Sequence, residues 1–454
     1  MGLRIGVILR VSSKIRIGCG DMNANNRPKE PIKELSGDGR SNNGITMNQR
    51  ERIDNFERLG LGLFVHYGIY SVPGNGEWYK EMSKEADEIY NRHMEHFSPR
   101  SNWAEIIAAF AKKNGFRYVV LTTRHHDGFS LYDTKGLSEF DAAHLQEPRD
   151  LVREFVDACR AHGLIPFFYH TLIDWREEEK YPSFHNYLEY LRKSIELLCT
   201  QYGKIGGFWL DGQWKYPDAD WELDALYGII RKHQPNAIIV NNSGLDNLGA
   251  KLDSGTDVVT FERADMLNFD RTKASGIYGA EMCQTLNGHW GYAKNDIAYK
   301  SISEILESLC VCRSKRGNFL LNIGPEPDGC IRPIDRAIID LLGQWINVNS
   351  EALYEPRPYM SNYDDGIFAL QRDNLIYVFF LKVPTKIDPS ANEFRAGRAT
   401  FRFPMSCLVK SAKWIDNNEP IEVRRDENGY FIQPTTFSYG TNLIVRVAAC
   451  EMWA

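Results

Sequence analysis

Eight apolar runs in this 454-residue chain each close on polar or ionisable residues, and that repeated pattern constrains the fold more than any other feature. They are LGLFVHYG (61 to 68), YVVLTTRHHDG (118 to 128), LIPFFYH (164 to 170), GGFWLDG (206 to 212), AIIVNN (237 to 242), VVTFER (258 to 263), YGAEMCQ (278 to 284) and NFLLNIG (318 to 324). Short buried strands look like this when core side chains fill the run and chemistry sits at its end. Between the runs lie segments with apolar residues three and four apart: NWAEIIAAFAKKNGF, DLVREFVDACRAHG, NYLEYLRKSIELLCTQYG, WELDALYGIIRKHQ, SISEILESLCVCRSK and PIDRAIIDLLGQWINVN. That spacing predicts helices. Strands alternating with helices predict a parallel sheet, and eight units predict an irregular (β/α)₈ TIM-like barrel. The stretches 246 to 257 and 264 to 277 lack helical periodicity, so one or two helices are expected to be degraded.

In such barrels the chemistry collects at the C-terminal ends of the strands, where the following loops converge on one mouth. His66, His125, His126, Tyr169, Asp211, Asn241, Glu262 and Glu281 all fall at run ends and are expected to share it. Three imidazoles, carboxylates and aromatic rings suit a sugar, which needs partners for its hydroxyls, an apolar surface for its C–H faces and two carboxyls across the glycosidic bond. Asp211 is the stronger nucleophile candidate: its short side chain at a strand end is rigidly held, and Gly212 lets the backbone turn away. As an isolated dipeptide, Asp-Gly is more often a plain turn; the position after a fourth barrel strand, with Trp209 and Trp214 nearby, favours the site. The tandem His125 and His126 invite a metal reading, but neighbouring residues on a strand face opposite ways, so hydroxyl binding is expected and no metal.

Past residue 352 the pattern changes to short alternating runs between Asn, Asp, Gly and Pro, which predicts a C-terminal antiparallel β-sandwich. The expected organisation is a poorly ordered or dispensable leader over 1 to 48, a catalytic barrel over 49 to 352 and the sandwich over 353 to 454. Arg10 and Lys14 interrupt any signal-peptide core near the start, so a cytoplasmic location is expected. A net charge of −6 argues against nucleic acid or an anionic membrane as partner. Nine scattered cysteines without a CxxC pair argue against a disulfide framework or a zinc cluster, and several are expected to be buried free thiols. The oligomeric state stays open.

The segment RLGLGLFVHYGIYSVPGNGEWY resembles the opening signature of glycoside hydrolase family 29, the α-L-fucosidases. The resemblance continues in order through YVVLTTRHHDGFSLYDT, FFYHTLIDW, GGFWLDGQW, EMCQTLNGHWGY and GNFLLNIGPEPDG, over about residues 56 to 330. It implies a retaining exo-α-L-fucosidase acting on fucosylated oligosaccharides or glycoconjugates, with no cofactor. Carried over by motif, Asp211 is the nucleophile of a covalent fucosyl intermediate. His66, Glu77, Trp78, His125, His126 and Tyr169, with Trp209 and Trp290, are then the substrate-binding set. For the acid/base the resemblance implies Glu262 in TFERADML, with Glu281 in AEMCQT as the alternative. Arg263 beside Glu262 either keeps that carboxylate ionised or points to solvent. A retaining glycosidase of another sugar specificity, or a carbohydrate-binding protein without turnover, are the rival readings; the linkage preferred is not written in the sequence.

Overall fold

The structure is a computed structural model that describes residues 46–176, 181–251, 253–270, 277–359, 366–381, 386–388, 393–395, 400–435, 437–438 and 443–453. Almost all of the expected leader lies outside the described residues. Each of the eight apolar runs forms a parallel strand: β1 Leu61–Val65, β2 Tyr118–Arg124, β3 Ile165–Thr171, β4 Gly207–Asp211, β5 Ile238–Asn241, β6 Val258–Glu262, β7 Gly279–Thr285 and β8 Asn318–Ile323. They pair in sequence order and β8 closes onto β1, giving a barrel without an edge. The six periodic segments are helices, Trp103–Lys113, Leu151–Ala161, Phe184–Gln201, Leu223–His233, Ile302–Ser314 and Pro333–Val348, while among the described residues none follows β5 or β6.

Local signals explain where these helices begin. Asp150 caps Leu151–Ala161 by accepting from the Arg153 amide, and Ser301 and Glu304 form a reciprocal capping box for Ile302–Ser314. Each such cap is worth about 1 kcal/mol.

Alternation along the strands divides the apolar side chains into two cores. Phe64, Val120, Phe167, Trp209, Val240 and Leu320 point inward and fill the barrel. Phe56, on the helix Gln49–Glu57, closes its base against the rings of Tyr118 and Phe167. The intervening positions, among them Leu63, Leu121, Phe168, Leu210 and Ile239, pack outward against the helices.

The C-terminal part holds a five-stranded antiparallel sheet and two three-stranded antiparallel sheets. One face of the larger sheet, with Phe368, Tyr377, Phe379 and Val447, joins the core around the barrel helices. Its other face, with Ile376, Val378, Phe380 and Trp414, packs with Phe401 and Ile432 of a smaller sheet, and with Phe403 just after it, in a core of its own. The eight described cysteines are free, six of them buried.

Candidate active site

Asp211 is the last residue of β4 and is 8 % exposed. Gly212 follows at φ 115°, where a Cβ would sit 2.9 Å from the Ile173 side chain, so glycine is what lets the chain leave the strand there. Three donors and an imidazole face the carboxylate. Trp214 Nε1–H and Asn242 Nδ2–H donate to Oδ1 at 2.8 and 3.0 Å, the Tyr169 hydroxyl donates to Oδ2 at 2.9 Å, and His126 Nε2 stands 3.4 Å from Oδ2. Burial alone would push this carboxyl up, but His126, Trp214 and Asn242 outweigh it and hold the group at about 2. Burial and the facing Asp211 charge push the Tyr169 hydroxyl well above its ordinary value, so it stays a donor.

Glu262 ends β6 across the same mouth. Asn242 Nδ2 donates to its Oε2 at 2.9 Å, from the nitrogen that also serves Asp211. The amide cannot be turned the other way, because its Oδ1 accepts from the Thr260 hydroxyl at 2.8 Å and the Gly244 amide at 3.3 Å. Burial and the nearby Asp211 charge push Glu262 above the usual carboxylate range, the opposite of Asp211. Arg263 does not point freely to solvent: at φ 52° its amide donates to Cys283 O, its guanidinium donates to Gly288 O at 2.8 Å, and it lies over the Trp290 ring.

The histidines lie just beyond two strand ends. His66 follows β1, and its Nδ1–H donates to Asn322 Oδ1 at 2.6 Å, while the Asn322 amide donates to Trp290 O. Burial drives His66 down to about 3, so it is a neutral ring whose Nε2 is an acceptor. His125 is also buried and held well below its ordinary value, and its Nδ1 has no partner among the described residues. The strand-alternation argument against a shared site for His125 and His126 does not apply, because β2 has ended at Arg124 after an irregularity near Thr123; the two rings lie 4.3 Å apart. Among the described residues no group of three or more His, Cys, Asp or Glu side chains is arranged to hold a metal ion.

Around these groups stand aromatic walls. Trp290 stacks on His66 at 5.1 Å, and Trp78, Trp175 and Trp214 surround the His126 ring. Glu77 lies at the same place, but its Oε2 is occupied by the backbone amides of Trp290 and Gly291, so it also pins the loop after β7.

Three expected positions differ. Glu281 is not at the mouth: β7 continues to Thr285, so the inward series 281, 283, 285 leaves Glu281 inside the barrel, 1 % exposed, accepting from the Tyr118 hydroxyl and from Trp209 Nε1–H at 2.8 Å. Trp209 is likewise an interior residue with its N–H committed to Glu281. Asn241 faces outward, donating to Gln213 and Tyr227, and its neighbour Asn242 occupies the mouth. The parity of Ile238, Val240 and Asn242 was the signal that singles out Asn242. Trp175 and Trp214, also outside the expected set of contacts, sit within the motifs FFYHTLIDW and GGFWLDGQW.

Two carboxyls of opposed acidity, bridged by one amide and faced by neutral imidazoles and aromatic rings, suit hydrolysis of a sugar linkage. Known proteins agree with that chemistry. The chain is 27 % identical over 360 residues to rat tissue alpha-L-fucosidase, covering 72 % of this chain and 76 % of that one. It is 25 % identical over 417 residues to human plasma alpha-L-fucosidase, covering 83 % and 85 %. Among solved structures, alpha-L-fucosidase isoenzyme 1 from Paenibacillus thiaminolyticus superposes with a TM-score of 0.73 at 25 % identity, over 90 % of this chain and all of that one. Residues 40–351 match the family model described as alpha-L-fucosidase, and the chain belongs to that family.

Proposed function

We propose that the protein is a retaining exo-α-L-fucosidase in which Asp211 is the nucleophile and Glu262 the general acid and base. The observation that carries this reading is the double hydrogen bond of Asn242. One nitrogen lies 3.0 Å from an Asp211 oxygen and 2.9 Å from a Glu262 oxygen, so those oxygens are no more than about 6 Å apart. Retaining enzymes need that closeness, whereas inverting enzymes hold their carboxyls about 6.5 to 9.5 Å apart to seat a water.

The acidities support the division of labour. Asp211, held at about 2, is an anion ready to attack the anomeric carbon, while Glu262, pushed up by burial and by the Asp211 charge, is the weaker acid of the two and the one suited to deliver a proton to the departing oxygen. Attack forms the Asp211–sugar ester and breaks the glycosidic bond as that proton moves to the leaving group. The ester carries no charge, so the repulsion that raised Glu262 is gone and the carboxylate becomes a base. It then takes a proton from water, whose oxygen attacks the same carbon and frees Asp211.

Binding follows from the walls. The Nε2 acceptor of His66 and the His125 and His126 rings are fitted to sugar hydroxyls, and the Trp290 and Trp78 rings offer the apolar contact a 6-deoxy sugar requires. The floor is closed by Phe64, Tyr169 and Trp209, which suits a terminal residue entering from above. Fucosylated oligosaccharides or glycoconjugates are the proposed substrates.

The test is Asp211→Gly with an aryl α-L-fucoside. Turnover is expected to fall by orders of magnitude, and azide to restore it with formation of the inverted fucosyl azide. Near wild-type rates in this variant, or no turnover of any fucoside by the wild type, would overturn the assignment.

A further inference from the structure

Glu281 is a buried carboxylate that the proposed mechanism does not use. It occupies the third position of β7, and only burial and two hydrogen bonds, from Tyr118 and Trp209, act on it; among the described residues no cation offsets its charge. A carboxylate placed so among aromatic rings is costly, and a hydrocarbon side chain would fill the space at lower cost. Its two partners show what it does there. The Trp209 indole can only donate, and when buried it needs an acceptor. The Tyr118 ring reaches the carboxylate because Gly62, paired with it across β1 and β2, has no side chain: a Cβ there would lie 2.3 Å from that ring.

From Trp209 a path of contacts leads up to the reacting groups. Its indole stacks on the Tyr169 ring, with centroids 5.7 Å apart and planes inclined by 19°. Tyr169 in turn donates its hydroxyl to Asp211 Oδ2 at 2.9 Å. Trp209 also precedes Asp211 by two residues on the same inward face of β4, so any rotation of the indole displaces the ring beneath the nucleophile.

Resting on the fucosidase reading above, we propose that Glu281 is a positioning residue for the nucleophile: it fixes the Trp209 indole, on which Tyr169 stacks, and thereby holds the Tyr169 hydroxyl against Asp211. Glu281 touches neither substrate nor the reacting atoms, so its loss has a signature different from the loss of an acid.

The experiment uses the full chain with Glu281→Ala, Glu281→Gln, Trp209→Phe and the Glu281→Ala/Trp209→Phe double variant. Each is assayed on a dinitrophenyl fucoside and on a natural fucosyl oligosaccharide. Glu281→Ala is expected to lower kcat on both by a similar factor, about 10², with KM little changed and no rescue by azide. Glu281→Gln keeps an acceptor for the indole and is expected to recover most of that loss. The double variant is expected to be no worse than the poorer single one, because both changes break the same contact. If Glu281→Ala does not fold, the Glu281→Gln and Trp209→Phe comparison carries the test: the first close to wild type and the second impaired in kcat.

A loss confined to the poor leaving group and rescued by azide would instead make Glu281 the acid. A lowered melting temperature with unchanged kcat would make it a packing residue only. Both outcomes overturn the proposal while leaving the Asp211→Gly test to decide the fucosidase reading separately.

Discussion

Asn242 holds two carboxyls of opposite purpose with one amide group, and its substitution therefore has a readable sign. It donates to Asp211 and to Glu262, and both bonds favour the ionised forms. In Asn242→Ala both acidities weaken, so both limbs of the kcat/KM profile are expected to move to higher pH. Loss of a hydrogen bond to a charged group is worth about 1.5 to 3 kcal/mol, so kcat/KM should also fall by about 10- to 100-fold. A pH–rate profile with an unmoved alkaline limb would show that the amide does not bear on Glu262. Glu262→Ala tests the acid itself. It is expected to depress hydrolysis of natural oligosaccharides by about 10² to 10⁴ while sparing the first step on an activated aryl fucoside, and azide should give fucosyl azide of retained configuration.

Strands and helices separate stability from chemistry in this barrel. The mouth is built from residues near strand ends and in the loops that follow them, whereas the base is sealed by the helix Gln49–Glu57, whose Phe56 ring is 2 % exposed between Tyr118 and Phe167. Phe56→Ala leaves a cavity at the end of the barrel remote from Asp211. It is expected to cost about 3 to 5 kcal/mol of stability in urea unfolding. At a temperature where the variant remains folded, kcat should be close to wild type; a large fall in kcat would mean that the base and the mouth are coupled. The same helix is tied to the strands by Arg52, which meets Asp257 at 3.1 Å, and Asp257 also receives Arg231 and the Ile239 amide.

The whole molecule carries buried titratable groups whose effects on stability oppose each other. His66 and His125 are depressed, so the stability they contribute is present above their unfolded value near 6.5 and is lost as pH falls. Glu281, pushed up to about 7, has the opposite sense: its contribution is complete below the unfolded value near 4.5 and is lost as pH rises through 7. Asp127 and Asp335, each pushed up to about 6, act in the same direction as Glu281. The net slope is a difference between these sets, and the difference between two proteins isolates one group. Relative to wild type, Glu281→Gln should gain stability as pH rises from 4.5 to 7, by at most on the order of 3 kcal/mol, and the gain should level off above that. A difference in melting temperature that is constant across this range would show that Glu281 does not titrate there.

Local pattern in the sequence determined all eight strands, six of the barrel helices and the placement of Asp211, Glu262 and the histidines at one mouth. Apolar periodicity and the polar residue that ends each run are properties of neighbouring residues, and no long-range contact is needed to read them. Glu77, Trp78 and Trp290 are legible through motif resemblance and not through periodicity. What the sequence did not determine was which side of the sheet a residue faces near a strand end. Side chains alternate with a period of two, so ending β7 a few residues later leaves Glu281 inside the barrel, and a shift of one residue exchanges Asn241 for Asn242 at the mouth. Those choices belong to pairing register and barrel closure, which bring together residues far apart in the chain. Tertiary structure alone therefore decided that Asn242 bridges the two carboxyls and that Trp209 lies beneath them with Glu281 as its anchor.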